Sequence, residues 1–354
     1  IRMNSNSYLG MSLRPEIMKA EEEGTARYGA GPGAVRFISG TYNLHIELEQ
    51  ALAAFHGREE AMIFSSAYAT IMGTISPLIT KETAIISDEL NHNCIINAIR
   101  LSRPSHKVVY PHLDMGSLEK SLEDHKGKAK RAVVITDGIF SMRGDHAPMD
   151  EIMAVAAKHD PDYPENVVVV MDDSHGVGAF GETGRGTEEY TSSPPIDILV
   201  GTLGKAFGVN GGYVTSNAHL IRFLRESAPF YIYSNPITPG EANAALASLR
   251  MLDSARGREL LVHLRAMTKR FEQGLGRLGM ETIPGEHPVV PLMVRDTART
   301  RALVKHLFDN GVLATGLAYP VVPKGDEEIR FQINADHTSG DVDRVLEVLG
   351  SFSG

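Results

Sequence analysis

Cysteine is almost absent: Cys94 is the single one among 354 residues. One thiol makes no intramolecular disulfide, and no CxxC pair is present to build a metal cage, so the chain reads as one from a reducing compartment, cytoplasmic by expectation. No basic block interrupts the acidic balance of 35 Lys and Arg against 44 Asp and Glu, a formal net charge of −9. That argues against a nucleic-acid partner, because a phosphate backbone must be met by clustered cations. Long apolar runs are lacking too. "VVVVM" at 167–171 is far shorter than the ~20 residues of a membrane helix, so no membrane partner is expected, and the start carries no signal-peptide h-region. GxSxG, HExxH and GxxxxGK[ST] do not occur, which removes the usual support for a serine hydrolase, a zincin or a P-loop enzyme. No metal site is expected. The opening "IRMNSNSYLG" has no initiator Met and lies close to a strand-like stretch; a further N-terminal piece is expected upstream.

What is present is ample apolar material, 42% of the residues, enough for a large domain with a smaller companion. Short β-branched runs alternate with helical patterns: "EAMIFSS" (60–66), "TAIIS" (83–87), "KVVYP" (107–111), "RAVVITD" (131–137), "NVVVVMD" (166–172) and "DILVGT" (197–202). The alternation predicts an α/β fold with a mainly parallel sheet between helices, and the continuous apolar runs predict strands covered on both faces. After about residue 240 the pattern changes to a long helical stretch and then strand-like "VVPLMV" and "EEIRFQIN" around a helical segment, a smaller C-terminal α+β domain. The expected division is an N-terminal segment over 1–10, a large domain over 11–237 and a small one over 238–354.

In an open α/β sheet ligands sit beyond the carboxyl ends of the strands. Those ends carry Ser65-Ser66-Ala67-Tyr68, Asp88 with His92, Asp137 with Ser141, Asp172 with His175, and Thr202 with Lys205. "GVGAFG" at 176–181 fits a dinucleotide fingerprint, but "DDSH" separates it from the strand and a polar loop follows where a helix is required. Taken alone, Asp172 and His175 read as a turn or cap aspartate and a solvated histidine. Lys205, set among glycines at the end of another strand, changes that reading. A pyridine ring needs a carboxylate at its nitrogen, a donor at its phenolic oxygen and an amine for its aldehyde, and pyridoxal 5'-phosphate is the cofactor that asks for this set.

"NSYLG" (6–10), "GAVRFISGTYNLHIELE" (33–49), "SDELNH" (87–92), "TDGIFSMRGD" (136–145), "MDDSHGVGAFGETGRG" (171–186), "GTLGKAFG" (201–208), "YIYSNPITP" (231–239) and "YPVVPKGDEEIRFQINADHT" (319–338) occur in this order. Together they resemble the α-oxoamine synthases, pyridoxal-phosphate enzymes of the aspartate-aminotransferase fold (fold type I), over essentially the whole chain. Within that family the likeness is greatest to the glycine C-acetyltransferase branch, through "DDSHGVGAFGETGRG" and "YPVVPKG". The resemblance implies that Lys205 links the cofactor covalently, Asp172 meets the pyridinium nitrogen, His175 the phenolic oxygen, and His92 stacks on the ring face. It places the phosphate against Ser66, Ala67, Tyr68 and Thr202, with Ser234 and Asn235 reaching it from the neighbouring subunit of a homodimer. Arg330 then grips the substrate carboxylate, with Asn6 and Ser141 lining the same pocket, and a guanidinium suits that task because it offers two parallel bonds.

The implied reaction joins an amino acid, glycine as first choice, to an acyl-CoA thioester, acetyl-CoA as first choice, with Lys205 as base and His92 donating to the acyl oxygen. The glycine-rich "GAGPGAVRFISG" (29–40) reads equally as a wall beside an acyl channel and as a surface loop. Three positions depart from the family pattern: Arg143 and Asn97 where acids are usual, and Ile71 where asparagine is frequent. Other readings stay open: alanine with a pimeloyl thioester, serine with a long acyl chain, or a binding module that keeps the fold without turnover.

Overall fold

The structure, a computed structural model, describes residues 1–352. The β-branched runs form one sheet from Glu60–Phe64 (β1), Thr83–Asp88 (β2), His106–Tyr110 (β3), Arg131–Asp137 (β4), Val167–Asp172 (β5), Ile198–Thr202 (β6) and Gly212–Ser216 (β7). The spatial order is β1-β7-β6-β5-β4-β2-β3. Strands β3, β2, β4, β5 and β6 pair parallel, and β7 lies antiparallel between β6 and β1. From Ala132 to Asp137 every residue of β4 is buried, as a strand covered on both faces requires. Edge strand β3 instead alternates, with Val109 exposed and Lys107 turned to water, a short charged edge that discourages pairing with other chains.

The first four α-helices are Pro15–Tyr28 (α1), Asn43–Phe55 (α2), Ala67–Leu78 (α3) and Asn93–Ser102 (α4). Ile71 and Ile75 of α3 and Ile95 and Ile99 of α4 pack with Ile85, Val133, Ile135 and Val170 of the sheet. Each such side chain contributes about 1.5–3 kcal/mol by leaving water. The loop at 29–40 is anchored rather than merely exposed. Buried Arg36 makes a two-pronged pair with Glu49 of α2 at 3.0 and 3.2 Å, and Glu49 also accepts from Arg225 and from the Ile63 N–H.

The chain divides into two compact units, one of Met11–Phe140 with His146–Ser254, the other of Ile1–Gly10, Ser141–Asp145 and the residues from Ala255 on. Between these units the chain passes at 254/255; the sequence reading sets its boundary at 237/238. The helical stretch after residue 238 is two helices, Pro239–Leu252 and Ala255–Arg277, and the first belongs with α1. A Cβ on Gly24 would lie 2.8 Å from the Pro239 carbonyl oxygen, and Asn243 Nδ2 donates to the Ala20 carbonyl at 2.7 Å.

In the other unit Val289–Met293 (β8), Thr315–Leu317 (β9) and Glu328–Gln332 (β10) form an antiparallel sheet ordered β8-β10-β9. Alternation along β10 splits its faces. Ile329 and Phe331 are fully buried, Phe331 meeting Phe271 edge-on at 5.0 Å, which leaves Glu328, Arg330 and Gln332 on the opposite face. Segment 1–10 joins this sheet: the Met3 N–H donates to Leu313 and the Met3 carbonyl accepts from Gln332, both at 2.8 Å.

Candidate active site

Register alone brings two carboxylates together. Strands β4 and β5 pair in parallel with Asp137 opposite Asp172 at their carboxyl ends, and both side chains are buried. Asp172 is held by the residue two further on: its Oδ1 accepts from the Ser174 N–H at 3.1 Å and the Ser174 hydroxyl at 2.5 Å. Asp137 Oδ2 accepts the backbone N–H of His92 at 2.8 Å, and its own N–H donates to Asn91 Oδ1 at 2.8 Å. Asn91 is itself fixed by donating to Ser87 Oγ and the Ile135 carbonyl, both at 2.9 Å. Burial, then the charge of Asp172, pushes the Asp137 carboxyl well above the usual range, against the opposing pull of the His92 N–H and of Lys205.

His92 caps α4. Its Nδ1 accepts the Cys94 N–H at 3.2 Å, so in the neutral ring the proton resides on Nε2. Cys94 is a buried thiol between two site groups, its Sγ 2.9 Å from His92 Nδ1 and 3.7 Å from Asp172 Oδ2. Burial pushes this thiol up, reinforced by the charges of Asp172 and Asp137, so it stays protonated. The His92 imidazole is lowered by burial of its packed side and by the Lys205 charge, against the pull of Asp172. Lys205, half-buried in the turn after β6, therefore shares one electrostatic neighbourhood with His92 and Asp137. His175 is buried in the turn that follows β5.

Ser66, Ala67 and Tyr68 lie at the start of α3. Ser66 Oγ accepts the Ala69 N–H at 3.1 Å, while the N–H groups at the first helical positions have no intrahelical acceptor. The backbone of Gly212 passes so close that a Cβ there would be 2.6 Å from the Ala67 nitrogen. Thr202 Oγ1 donates to the adjoining Gly211 carbonyl at 3.2 Å and accepts the Gly204 N–H at 3.1 Å. Sequence order thus becomes one cradle of helix terminus, glycine strand and threonine, suited to an anion. Tyr68 extends outward to Asn93 and Asn97, whose amide donates to its hydroxyl at 2.6 Å. Ile71 is a core residue. Ser234 Oγ meets the Asn235 carbonyl at 3.5 Å, and Asn235 is exposed.

The remaining three candidates lie together in the smaller unit. Arg330 Nε donates to the Ser141 carbonyl and its Nη2 to Asn6 Oδ1 at 3.4 Å. Asp88, which shares a strand end with His92, turns elsewhere: it accepts from Leu90 and Leu113 N–H groups and pairs with His112 at 3.0 Å. Asn91 and Cys94 carry no sequence signal, because their contacts with Ile135 and Asp137 and with Asp172 join segments far apart in the chain; the bond of Ser174 to Asp172 is local, two residues apart, and the sequence reading misses it. Asp137 has a sequence signal, its place at the end of an apolar strand.

This donor set suits pyridoxal phosphate: a buried carboxylate, a lysine, an imidazole and an anion cradle, the assembly of a fold type I transferase. Residues 1–349 match the aminotransferase class I and II family. The 8-amino-7-oxononanoate synthase of Bacillus pumilus is 41% identical over 351 residues, covering 99% of this chain and 87% of that protein. The human mitochondrial 2-amino-3-ketobutyrate coenzyme A ligase is 38% identical, covering 97% and 80%. Among solved structures, the serine palmitoyltransferase of Sphingomonas wittichii is 30% identical with a TM-score of 0.93, covering 99% of this chain and 86% of that one. The chain belongs to the aminotransferase class I and II family and, within it, to the α-oxoamine synthases, pyridoxal-phosphate enzymes of the acyltransferase type.

Proposed function

We propose that this α-oxoamine synthase condenses glycine with acetyl-CoA, with pyridoxal phosphate held on Lys205. The observation that supports the site assignment most is the register pair Asp137 and Asp172, with the His92 N–H bonded to Asp137 and the Lys205 charge acting on both His92 and Asp137. When bound, the cofactor supplies an electron sink that makes the α-hydrogen of an amino acid acidic. Asp172, oriented by Ser174, would keep a proton on the ring nitrogen, and His175 would donate to the phenolic oxygen. Ser66, Ala67, Tyr68 and Thr202 would hold the phosphate. Arg330 would take the substrate carboxylate, and the Lys205 amine would be the base that removes the α-proton. The Nε2–H of His92 faces the thioester oxygen as negative charge builds on it. A bond then forms between the amino acid's Cα and the acyl carbon, the C–S bond breaks, and coenzyme A leaves as the thiol after taking a proton.

The 41% identity to an 8-amino-7-oxononanoate synthase favours a second reading, alanine with a pimeloyl thioester. The two are separated by recording the visible spectrum of the holoenzyme with glycine, alanine and serine in turn, then free-thiol release with acetyl-CoA and longer acyl-CoAs. Glycine with acetyl-CoA is expected to respond. A response confined to alanine or serine overturns the glycine reading, and no response to any amino acid favours the binding module.

A further inference from the structure

Away from the site described above, one histidine and two carboxylates come together between Met115–His125 (α5) and Met149–His159 (α6). Leu118 and Leu122 of α5 are buried, as are Met149, Ile152 and Ala156 of α6. The Tyr163 hydroxyl, just beyond α6, donates to the Leu122 carbonyl at 2.7 Å and fixes the end of α6 against α5. Glu119 and Glu123, at i and i+4, share one face of α5. His159, 5% exposed, ends α6 with its Nε2 buried, without a hydrogen-bond partner among the described residues and 3.6 Å from Glu119 Oε1. A buried ring nitrogen in that state is costly. On the other side of the ring, Nδ1 lies 3.2 Å from Asp162 Oδ2, and Asp162 is itself paired with Lys126. A carboxylate held as an anion accepts the Nδ1–H, which leaves the Nε2 lone pair turned towards the glutamates. The ligand atoms of Glu119, Glu123 and His159 all lie within 4.8 Å of one another.

We propose that Glu119, Glu123 and His159 are a binding site for a divalent metal ion of the zinc type. A neutral imidazole with two carboxylates and a side open to water is a donor set such an ion accepts, and the two negative charges balance it. Glu119 also pairs with Lys158, whose side chain is 64% exposed. An exposed pair of that kind is worth little, so an ion displaces the ammonium into water at small cost. Once bound, the ion clips α5 to α6, the helices that lead into β4 and β5 and so to Asp137 and Asp172. The sequence predicts no metal site because the glutamates and the histidine belong to two helices with β4 between them.

The test uses the full chain with pyridoxal phosphate bound, stripped of metal by chelation, with Zn²⁺ alone as the probe and calorimetric titration as the readout. One equivalent is expected to bind at micromolar concentration and to raise Tm. His159→Gln and Glu123→Gln should each weaken that binding by about tenfold or more and abolish the rise in Tm. Asp162→Asn, which alters the oxygen that orients the imidazole, should weaken it about tenfold. Lys158→Met removes the cation that competes for Glu119 and should bind at least as tightly as wild type. If His159→Gln does not fold, the exposed Glu123→Gln reads the same loss. Three results overturn the proposal: a wild type that takes up no equivalent of Zn²⁺, equal binding by wild type, His159→Gln and Glu123→Gln, or weaker binding by Lys158→Met. The cluster would then be a set of ion pairs only.

Discussion

Two aspartates lie side by side at the ends of β4 and β5, and their partners give them different tasks. Asp137 accepts a backbone N–H and is pushed towards its protonated form, so what the site needs from it is an oxygen acceptor rather than a charge. Asp172 accepts from Ser174 twice and is the group proposed to meet the ring nitrogen, where charge is the point. Asp137→Asn should therefore keep activity within a few-fold. Asp137→Ala leaves the His92 N–H without its acceptor and should cost about 1–3 kcal/mol of stability. Asp172→Asn should lower kcat by about a hundredfold or more, because it removes a preorganised charge from the reacting ring. Steady-state kinetics and urea unfolding of the three variants check this. Equal losses in Asp137→Asn and Asp172→Asn would contradict the division of roles.

At the scale of elements, β4 is legible in the sequence residue for residue, and the strands β1, β2, β3, β5 and β6 within two residues at either end. Continuous apolar runs in a parallel sheet are bounded by sharp polar steps, which makes them readable. Strand β7 is not, because Gly211 and Gly212 merge it with the glycine run after Lys205; Gly212 serves the close approach to Ala67. Three-residue β9 offers too little pattern to read. The long C-terminal helical stretch conceals a break at Asp253 and Ser254, since apolar spacing continues on both sides of it. The false dinucleotide fingerprint has a physical explanation as well. Gly176 and Gly186 close around the buried Asp173 carboxylate, which accepts the Thr187 N–H at 2.8 Å and its hydroxyl at 2.6 Å, and so fold the segment back beside Asp172 and His175. Gly186 has φ of +91°, and a Cβ there would lie 1.9 Å from Asp173 Oδ2. Gly186→Ala combines that clash with a left-handed backbone and should destabilise the protein by about 2 kcal/mol or more. Urea unfolding is the measurement, and a change below half that size would show that the loop yields easily.

For the whole molecule, the open matter is assembly. Among the described residues, Ser234 and Asn235 hydrogen-bond to none of Lys205, Asp172 or the α3 terminus of their own chain, and Tyr233 beside them is 77% exposed. Phe37 and Ile38 of the anchored loop are each 66% exposed in the same unit. Large apolar side chains left in water are what a covered surface offers. A second copy of this chain is the occupant proposed here, with each Ser234 and Asn235 completing the partner's phosphate cradle. In a two-fold assembly the exchange is reciprocal, so defects can be sorted between sites. Lys205→Ala damages its own site, whereas Ser234→Ala with Asn235→Ala damages the partner's. In a mixed dimer both defects fall on one site and the other is intact. Unfolding and refolding the two inactive proteins together in equal amounts should then restore about a quarter of wild-type activity, because half the dimers are mixed and each has one sound site. Were both defects to act within their own chain, each site of the mixed dimer would carry one of them, and co-refolding would restore nothing.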